Sequence, residues 1–226
     1  MIEGLTSLGG MRVKKSGVCI MLVWLTLVML AGAVFGQAQQ GTAELKNAGG
    51  NVVGTATFTQ QSDGARVLVQ VNGLPSGKHG IHIHAVAKCD PPNFTSAGSH
   101  FNPAGKHHGL LNPDGPHAGD LPNLEVATDG TGRLDYTNSL VTLAAGPANS
   151  LFKPNGTSLV IHANSDDEIS DTAGKSGPRI ACGAILAVSA QTFLEQYALS
   201  IATVVTIVVV VVIAAVAIRR RKPRTT

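Results

Sequence analysis

The chain of 226 residues carries 17 lysines and arginines against 14 aspartates and glutamates, a formal charge of +3, with 44% hydrophobic and only 4% aromatic residues. Three of those basic residues precede position 38 and five follow position 218, so the stretch between holds nine against thirteen acidic residues and is formally −4. The basic balance therefore belongs to the two ends, which removes the only support for nucleic-acid binding and leaves a length suited to one domain with one core.

In chain order, Arg12, Lys14 and Lys15 precede an apolar run over 18–35 that contains the small-residue signal Ala31-Gly32-Ala33. This predicts a secretory signal peptide over 1–38, cleaved somewhere in 33–38. Met11 offers an alternative start with a more ordinary basic region, and an uncleaved signal anchor is the alternative outcome. Cys19 lies inside this apolar run, where the bulky Val18 before it argues against lipidation.

From residue 39 the texture is β. Gly50-Asn51 leads into the alternating run VVGTATFTQ, Ser62-Asp63-Gly64 separates that run from ARVLVQVNG, and Asp129-Gly130 separates LEVAT from GRLDYT. Alternation broken by Asp-Gly pairs predicts hairpins. Helical periodicity is absent from this part, and no repeat is visible. The stretch 87–122 is rich in Gly, Pro, Asn and His and too broken for a strand; a long loop in a compact domain is usually functional.

Histidine carries the chemistry. The order is His82-x-His84, His100, His108, His117-x-x-Asp120 and then His162. In GIHIHAV, His82 and His84 are two residues apart, so their rings project from one face of a strand and Ile81 and Ile83 from the other. His162 sits in LVIHAN, a second apolar strand able to deliver a third ring to the same side. Imidazoles on rigid strands suit a copper ion that changes oxidation state. The loop set of His108, His117 and Asp120, joined by His100, has the N/O donors that suit a tetrahedral zinc with no open position. His100 has two ring nitrogens and could bridge the two ions. Taken singly, each histidine has a plain structural or solvated reading; the ordered set does not.

Outside the apolar ends only Cys89 and Cys182 remain, and they can pair in one way. Two free thiols are the alternative. A short tether over 191–197, which could extend the next helix, precedes an uncharged Val/Ile/Ala run over 198–218. As a helix this run spans about 30 Å, enough to cross a bilayer. The tail over 219–226 holds Arg219, Arg220, Arg221, Lys222 and Arg224 and is expected to stay cytoplasmic. The expected topology is a single-pass membrane protein with the histidine-rich domain, 39–190, extracellular, periplasmic or lumenal.

The motifs GKHGIHIH, AGSHFNPAGKHHG, HAGDL, LVIHANSDD and GPRIACG resemble the copper-zinc superoxide dismutase family over roughly 41–189. The resemblance implies an all-β fold, an eight-stranded Greek-key barrel or sandwich with long metal-binding and electrostatic loops, here with a C-terminal transmembrane helix added. It implies one copper per chain on His82, His84, His100 and His162, and one zinc on His100, His108, His117 and Asp120. It makes Cys89–Cys182 the disulfide and Asp166 the carboxylate that links a copper histidine to a zinc histidine. His79 would tie barrel to loop, and His107 would be an exposed non-ligand, unless the register with His108 is shifted.

The reaction implied is disproportionation of superoxide to dioxygen and hydrogen peroxide, with His100 exchanging a proton and Arg179 guiding the anion. Superoxide is the expected small-molecule partner, the bilayer the expected surface, and a homodimer is allowed. The segment before His100 is longer, and 166–178 shorter, than in the cytosolic eukaryotic form, so dimer geometry and rate do not carry over. Lys175 is expected to replace guiding charge lost with the shortening. A non-catalytic copper- and zinc-binding surface module would show the same ligands, and an adhesive β-sandwich would explain the strands but not the histidines. Asn93 and Asn155 head glycosylation sequons that matter only in a eukaryotic secretory pathway.

Overall fold

In β1 (Gln40–Asn47) Ala43 and Leu45 are buried while Glu44 and Lys46 face solvent, and in β3 (Gly64–Val71) Ala65, Val67, Val69 and Val71 form the buried row. This period of two is what a sheet with one wet face requires. The computed structural model describes residues 39–188, 203–211 and 213–214. The expected signal peptide, tether and basic tail lie outside these residues. Residues 203–211 and 213–214 are helical, and among the described residues no helix is long and apolar enough to cross a membrane; the rest of the 198–218 run lies outside them.

The remaining strands are β2 (Val52–Gln61), β4 (Gly77–His79), β5 (Ile81–His84), β6 (Leu124–Val126), β7 (Gly132–Asn138), β8 (Ser158–His162), β9 (Arg179–Ala184) and β10 (Leu186–Ala187). The hairpins expected at Ser62-Asp63-Gly64 and Asp129-Gly130 are present, with Gln61 opposite Gly64 and Val126 opposite Gly132. Gly130 takes a positive φ of 82° in the second turn, a conformation that favours glycine.

The sheet runs β4-β6-β7-β3-β2-β1-β9-β8-β5, with β10 on β1. Its two ends, β4 and β5, are halves of one run broken only at Gly80, so the sheet returns to itself as a nearly closed barrel. A Cβ at Gly80 would collide with the side chain of Ser176. Among the described residues the ten segments differ from the eight strands expected because two runs are interrupted, this one at Gly80 and β9/β10 at Ile185; counted as runs they are eight.

Leu45, Phe58, Val67, Val69, Ile81, Ile83, Leu121, Leu159 and Ile161 are fully buried in the main core. Each such side chain contributes roughly 1.5–3 kcal/mol of burial free energy. Strand β8 departs from alternation, with all five residues buried. Leu159 and Ile161 face the core; Val160, on the outer side, packs with Phe94, Ala97 and Cys182 in a second cluster. The loop containing Phe94 and the 3-10 helix Thr95–Ala97 covers that outer wall, and the disulfide Cys89–Cys182 holds it there.

Candidate metal centre

Strand register places the first histidines. Pairing of β5 with β8 sets His82 opposite Val160 and His84 opposite Ser158, and His162 donates its backbone N–H to Gly80. His82, His84 and His162 therefore share the outer face of the barrel wall, with His82 and His162 ring centroids 5.0 Å apart. The free edge of β5 is taken by the long loop: Phe101 donates to Ile83, Ile83 donates to Gly119, and bridges join His84 to His100 and His82 to Asp120. This brings His100 and Asp120 against the strand-borne rings, and His100 stacks on His82 at 4.0 Å. Gly119 can lie this close only without a side chain, since a Cβ there would strike the Ile83 carbonyl.

Each ring in this group has one nitrogen occupied and one left over. His82 Nε2 donates to Asp166 Oδ2 at 2.7 Å, His84 Nδ1 to the Gly98 carbonyl at 2.9 Å, and His162 Nδ1 to the Gly177 carbonyl at 3.0 Å; His100 Nδ1 lies 3.0 Å from Asp120 Oδ1. The remaining atoms, His82 Nδ1, His84 Nε2, His100 Nε2 and His162 Nε2, are buried without a hydrogen-bond partner. A buried polar atom left unpaired costs about 1–3 kcal/mol. One ring nitrogen from each of these four histidines lies within 4.8 Å of the others, which makes a ready cation site of neutral imidazoles. Burial suppresses their protonation: it pulls His82 down to about 3 and His162 to about 4, and lowers His84 and His100 as well. Proximity to one another and to Arg179 adds to the shift of His84 and His162. The donor set is thus deprotonated and ready for copper at neutral pH.

The second group surrounds Asp120. Its Oδ1 lies 3.0 Å from both His100 Nδ1 and His108 Nδ1 and 3.4 Å from His117 Nδ1, and His117 Nδ1 is 3.3 Å from His100 Nδ1. A tetrahedral zinc with bonds near 2.0–2.1 Å needs donor atoms roughly 3.3 Å apart. The three Asp120 distances and the His100–His117 distance lie close to that edge length. Ligand atoms of His82, His100, His108 and Asp120 also lie within 4.8 Å of one another, and His82 Nε2 is the atom bonded to Asp166. Asp120 Oδ2 is held by the N–H groups of Gly109 and His117, both at 2.9 Å.

The two groups are coupled by Asp166. Its Oδ2 accepts from His82 and its Oδ1 from His108 Nε2 at 3.0 Å. Asn123 fixes Asp166 in turn, accepting its backbone N–H at 2.7 Å. Burial opposes charge on His108, but the hydrogen bonds its ring donates to Asp120 and Asp166 outweigh it and raise the ring to about 9. The same contacts hold the Asp120 and Asp166 carboxyls far below the usual range despite their burial.

A cleft lined by His84, His100, His117, His162, Thr172 and Arg179 opens above the rings. Arg179 donates to the carbonyls of Phe94 at 2.6 Å and Gly98 at 2.7 Å, so one oxygen, that of Gly98, fixes both this cation and the His84 ring. His79, as expected, ties barrel to loop: its Nδ1 lies 2.8 Å from the His162 carbonyl and its Nε2 2.8 Å from that of Pro75. His107 is 62% exposed and outside both groups, whereas His108 is buried within the second. The partner of His107, Asp171, was not anticipated; the contact joins residues far apart in sequence and has no local signature. Lys175 pairs with Asp167 at 3.0 Å with 79% of its side chain exposed and is not among the residues lining the cleft.

Residues 52–185 match the family model for copper/zinc superoxide dismutase (SODC). The chain is 48% identical to superoxide dismutase [Cu-Zn] 2 of Aquifex aeolicus over 159 residues, 70% of this chain and 93% of that one. It is 41% identical to superoxide dismutase [Cu-Zn] of Deinococcus radiodurans, over 65% and 84% of the two chains. The crystal structure of a SOD-like protein from Bacillus subtilis superposes with a TM-score of 0.61 at 37% identity, covering 63% of this chain and 96% of the other.

Proposed function

The chain belongs to the copper/zinc superoxide dismutase family, and from that premise we propose how its residues divide the work. It is an enzyme that disproportionates superoxide with one copper and one zinc. In our reading copper is held by His82, His84, His100 and His162, and zinc by His100, His108, His117 and Asp120. The observation that carries this is the set of four buried ring nitrogens without partners. Bound copper supplies alternating one-electron oxidation and reduction, by which two superoxide anions and two protons become dioxygen and hydrogen peroxide.

The protein's part is positioning and proton handling. Arg179 uses two of its five N–H groups on Phe94 and Gly98 and can present the others to a small anion in the cleft. The fixed cation concentrates superoxide there although the surrounding domain is acidic. His100 has Nδ1 turned to the zinc group, so Nε2 is the atom that can hold a proton between the two halves of the reaction. Asp166 and the Gly98 and Gly177 carbonyls keep the other three rings from turning. The test is superoxide decay after pulse radiolysis of the metal-loaded protein and of Arg179→Glu. A copper-dependent second-order decay supports the reading; decay unaffected by copper removal, or none at full metal loading, defeats it.

We further propose that 1–38 is an export signal and 198–218 a membrane anchor, with the enzyme domain outside and 219–226 in the cytoplasm. Support comes from the clustering of basic residues at the two ends and from the described helical residues. There Val204, Val205, Ile207, Val208, Val209, Val210, Val211 and Ile213 are all exposed. A helix apolar on every side needs cover, and a bilayer provides it. Fractionation with alkaline carbonate tests this; release of the intact chain into the soluble fraction would refute anchoring.

A further inference from the structure

Outside the candidate ligands, a set of contacts joins the two long loops. Asp171 accepts from the His107 ring Nδ1 at 2.6 Å through Oδ2 and from the backbone N–H of His108 at 2.8 Å through Oδ1. Upstream, Leu111 donates to the Glu168 carbonyl at 3.0 Å and Asn112 Nδ2 to that of Ile169 at 3.1 Å. Gly109 lies so close to Glu168 that a Cβ would collide with its backbone. The segment 168–171 is thereby stitched to 107–112. Immediately downstream, Thr172 and Ala173 line the cleft that holds Arg179, His84, His100 and His162. Ala173 is in turn gripped by Ser176, whose hydroxyl donates to its carbonyl at 2.6 Å. The two wall residues are thus suspended between Asp171 on one side and the buried Ser176 on the other.

We propose that Asp171, clasped by His107 and by the His108 N–H, is a positioning residue that sets the width of the substrate cleft through Thr172 and Ala173, and so decides which anions and chelators reach the copper rings. The proposal rests on the metal assignment above. Asp171 acts on no reacting atom; its reach is through the two residues that follow it. The clasp is well suited to acting on loop position alone. The side chains of Asp171 and His107 are 44% and 62% exposed, and exposed pairs contribute little to global stability. With Asp171 truncated, the Leu111 and Asn112 contacts still hold 168–169, so the part released is the cleft wall itself.

The experiment uses the full chain loaded with copper and zinc. Copper extraction by a bulky dithiocarbamate chelator is timed beside the affinity for cyanide, read from the copper visible spectrum. Loosening a wall that gates access changes entry of large ligands more than small ones. The expected result is that Asp171→Ala and His107→Ala each speed extraction by roughly threefold or more, with cyanide affinity unchanged. The double variant should be no faster than the singles, as for two members of one contact. Asp171→Asn, which keeps an acceptor for the His108 N–H, should restore slow extraction at least in part. An unchanged extraction rate, an equal change for cyanide, or additive single effects would overturn the proposal. Loss of zinc from Asp171→Ala would also overturn it, by making Asp171 a support of the zinc loop instead. Failure of wild-type protein to bind copper would instead refute the metal assignment, so the two failures are distinguishable.

Discussion

Arg179 stands opposite His162 across a register shift. Ile161 pairs with Ala181, but the next residue of β8, His162, pairs with Arg179, leaving Ile180 as the extra residue of β9. A bulge of this kind re-aims a side chain. Here it delivers the guanidinium to the face that carries His162 and His84, the face where the cleft opens. Reversing the charge should lower the second-order rate of superoxide decay by roughly tenfold or more, most strongly at low salt. Copper and zinc contents should be unchanged, because the His84 ring keeps its own bond to the Gly98 carbonyl and the disulfide still holds that loop. Wild-type kinetics at low ionic strength would show that the cation does not guide the anion.

Asp166 accepts a hydrogen bond from His82 in the first group and from His108 in the second. Asp166→Ala should weaken zinc binding by about 10–100-fold, the usual cost of removing a carboxylate behind a ligand histidine. Competition against a chromophoric zinc chelator measures it. Affinity within twofold of wild type would mean that His108 keeps its orientation without Asp166.

Much of this site is readable before any coordinates exist. The two-residue spacing in IHIH puts His82 and His84 on one face, and LVIH puts His162 on a neighbouring strand; both follow from the strand period alone. The link through Asp166 came only with the family resemblance. The Gly98 and Gly177 carbonyls and the Asp171 contacts were not legible, because they depend on the course of loops with no periodicity. Lys175 shows the same limit. Its closeness to Arg179 in sequence is legible, whereas its pairing with Asp167 has no signature in the local pattern.

The metal-free protein should lose stability as alkali removes the proton of His108. Its folded-state value, about 9, lies above the ordinary 6.5. The stabilisation is therefore fully present below about 6.5 and is lost as pH rises through about 9. Asp120 and Asp166 are shifted the other way, so their contribution is present above the usual carboxylate range and falls away in acid. Thermal melts of the apoprotein should peak near neutrality and decline between pH 7 and 10. The zinc-loaded protein should not show the alkaline decline, since zinc takes the place of that proton. Parallel alkaline profiles with and without zinc would contradict this.

The disulfide Cys89–Cys182 closes a long loop and pins the cover over Val160. Replacing both cysteines by serine should cost about 2–5 kcal/mol of stability, read from urea denaturation. The cover also positions Gly98, so copper retention should fall in the same variant. Wild-type stability after substitution would mean that packing of Phe94 and Ala97 alone holds the loop.

Anomalous diffraction at the copper and zinc edges tests the division of ligands most directly. The expected map has one copper peak among His82 Nδ1, His84 Nε2, His100 Nε2 and His162 Nε2, and one zinc peak among His100, His108, His117 and Asp120, with His100 between them. A single shared peak, or zinc bound through His82 in place of His117, would contradict it.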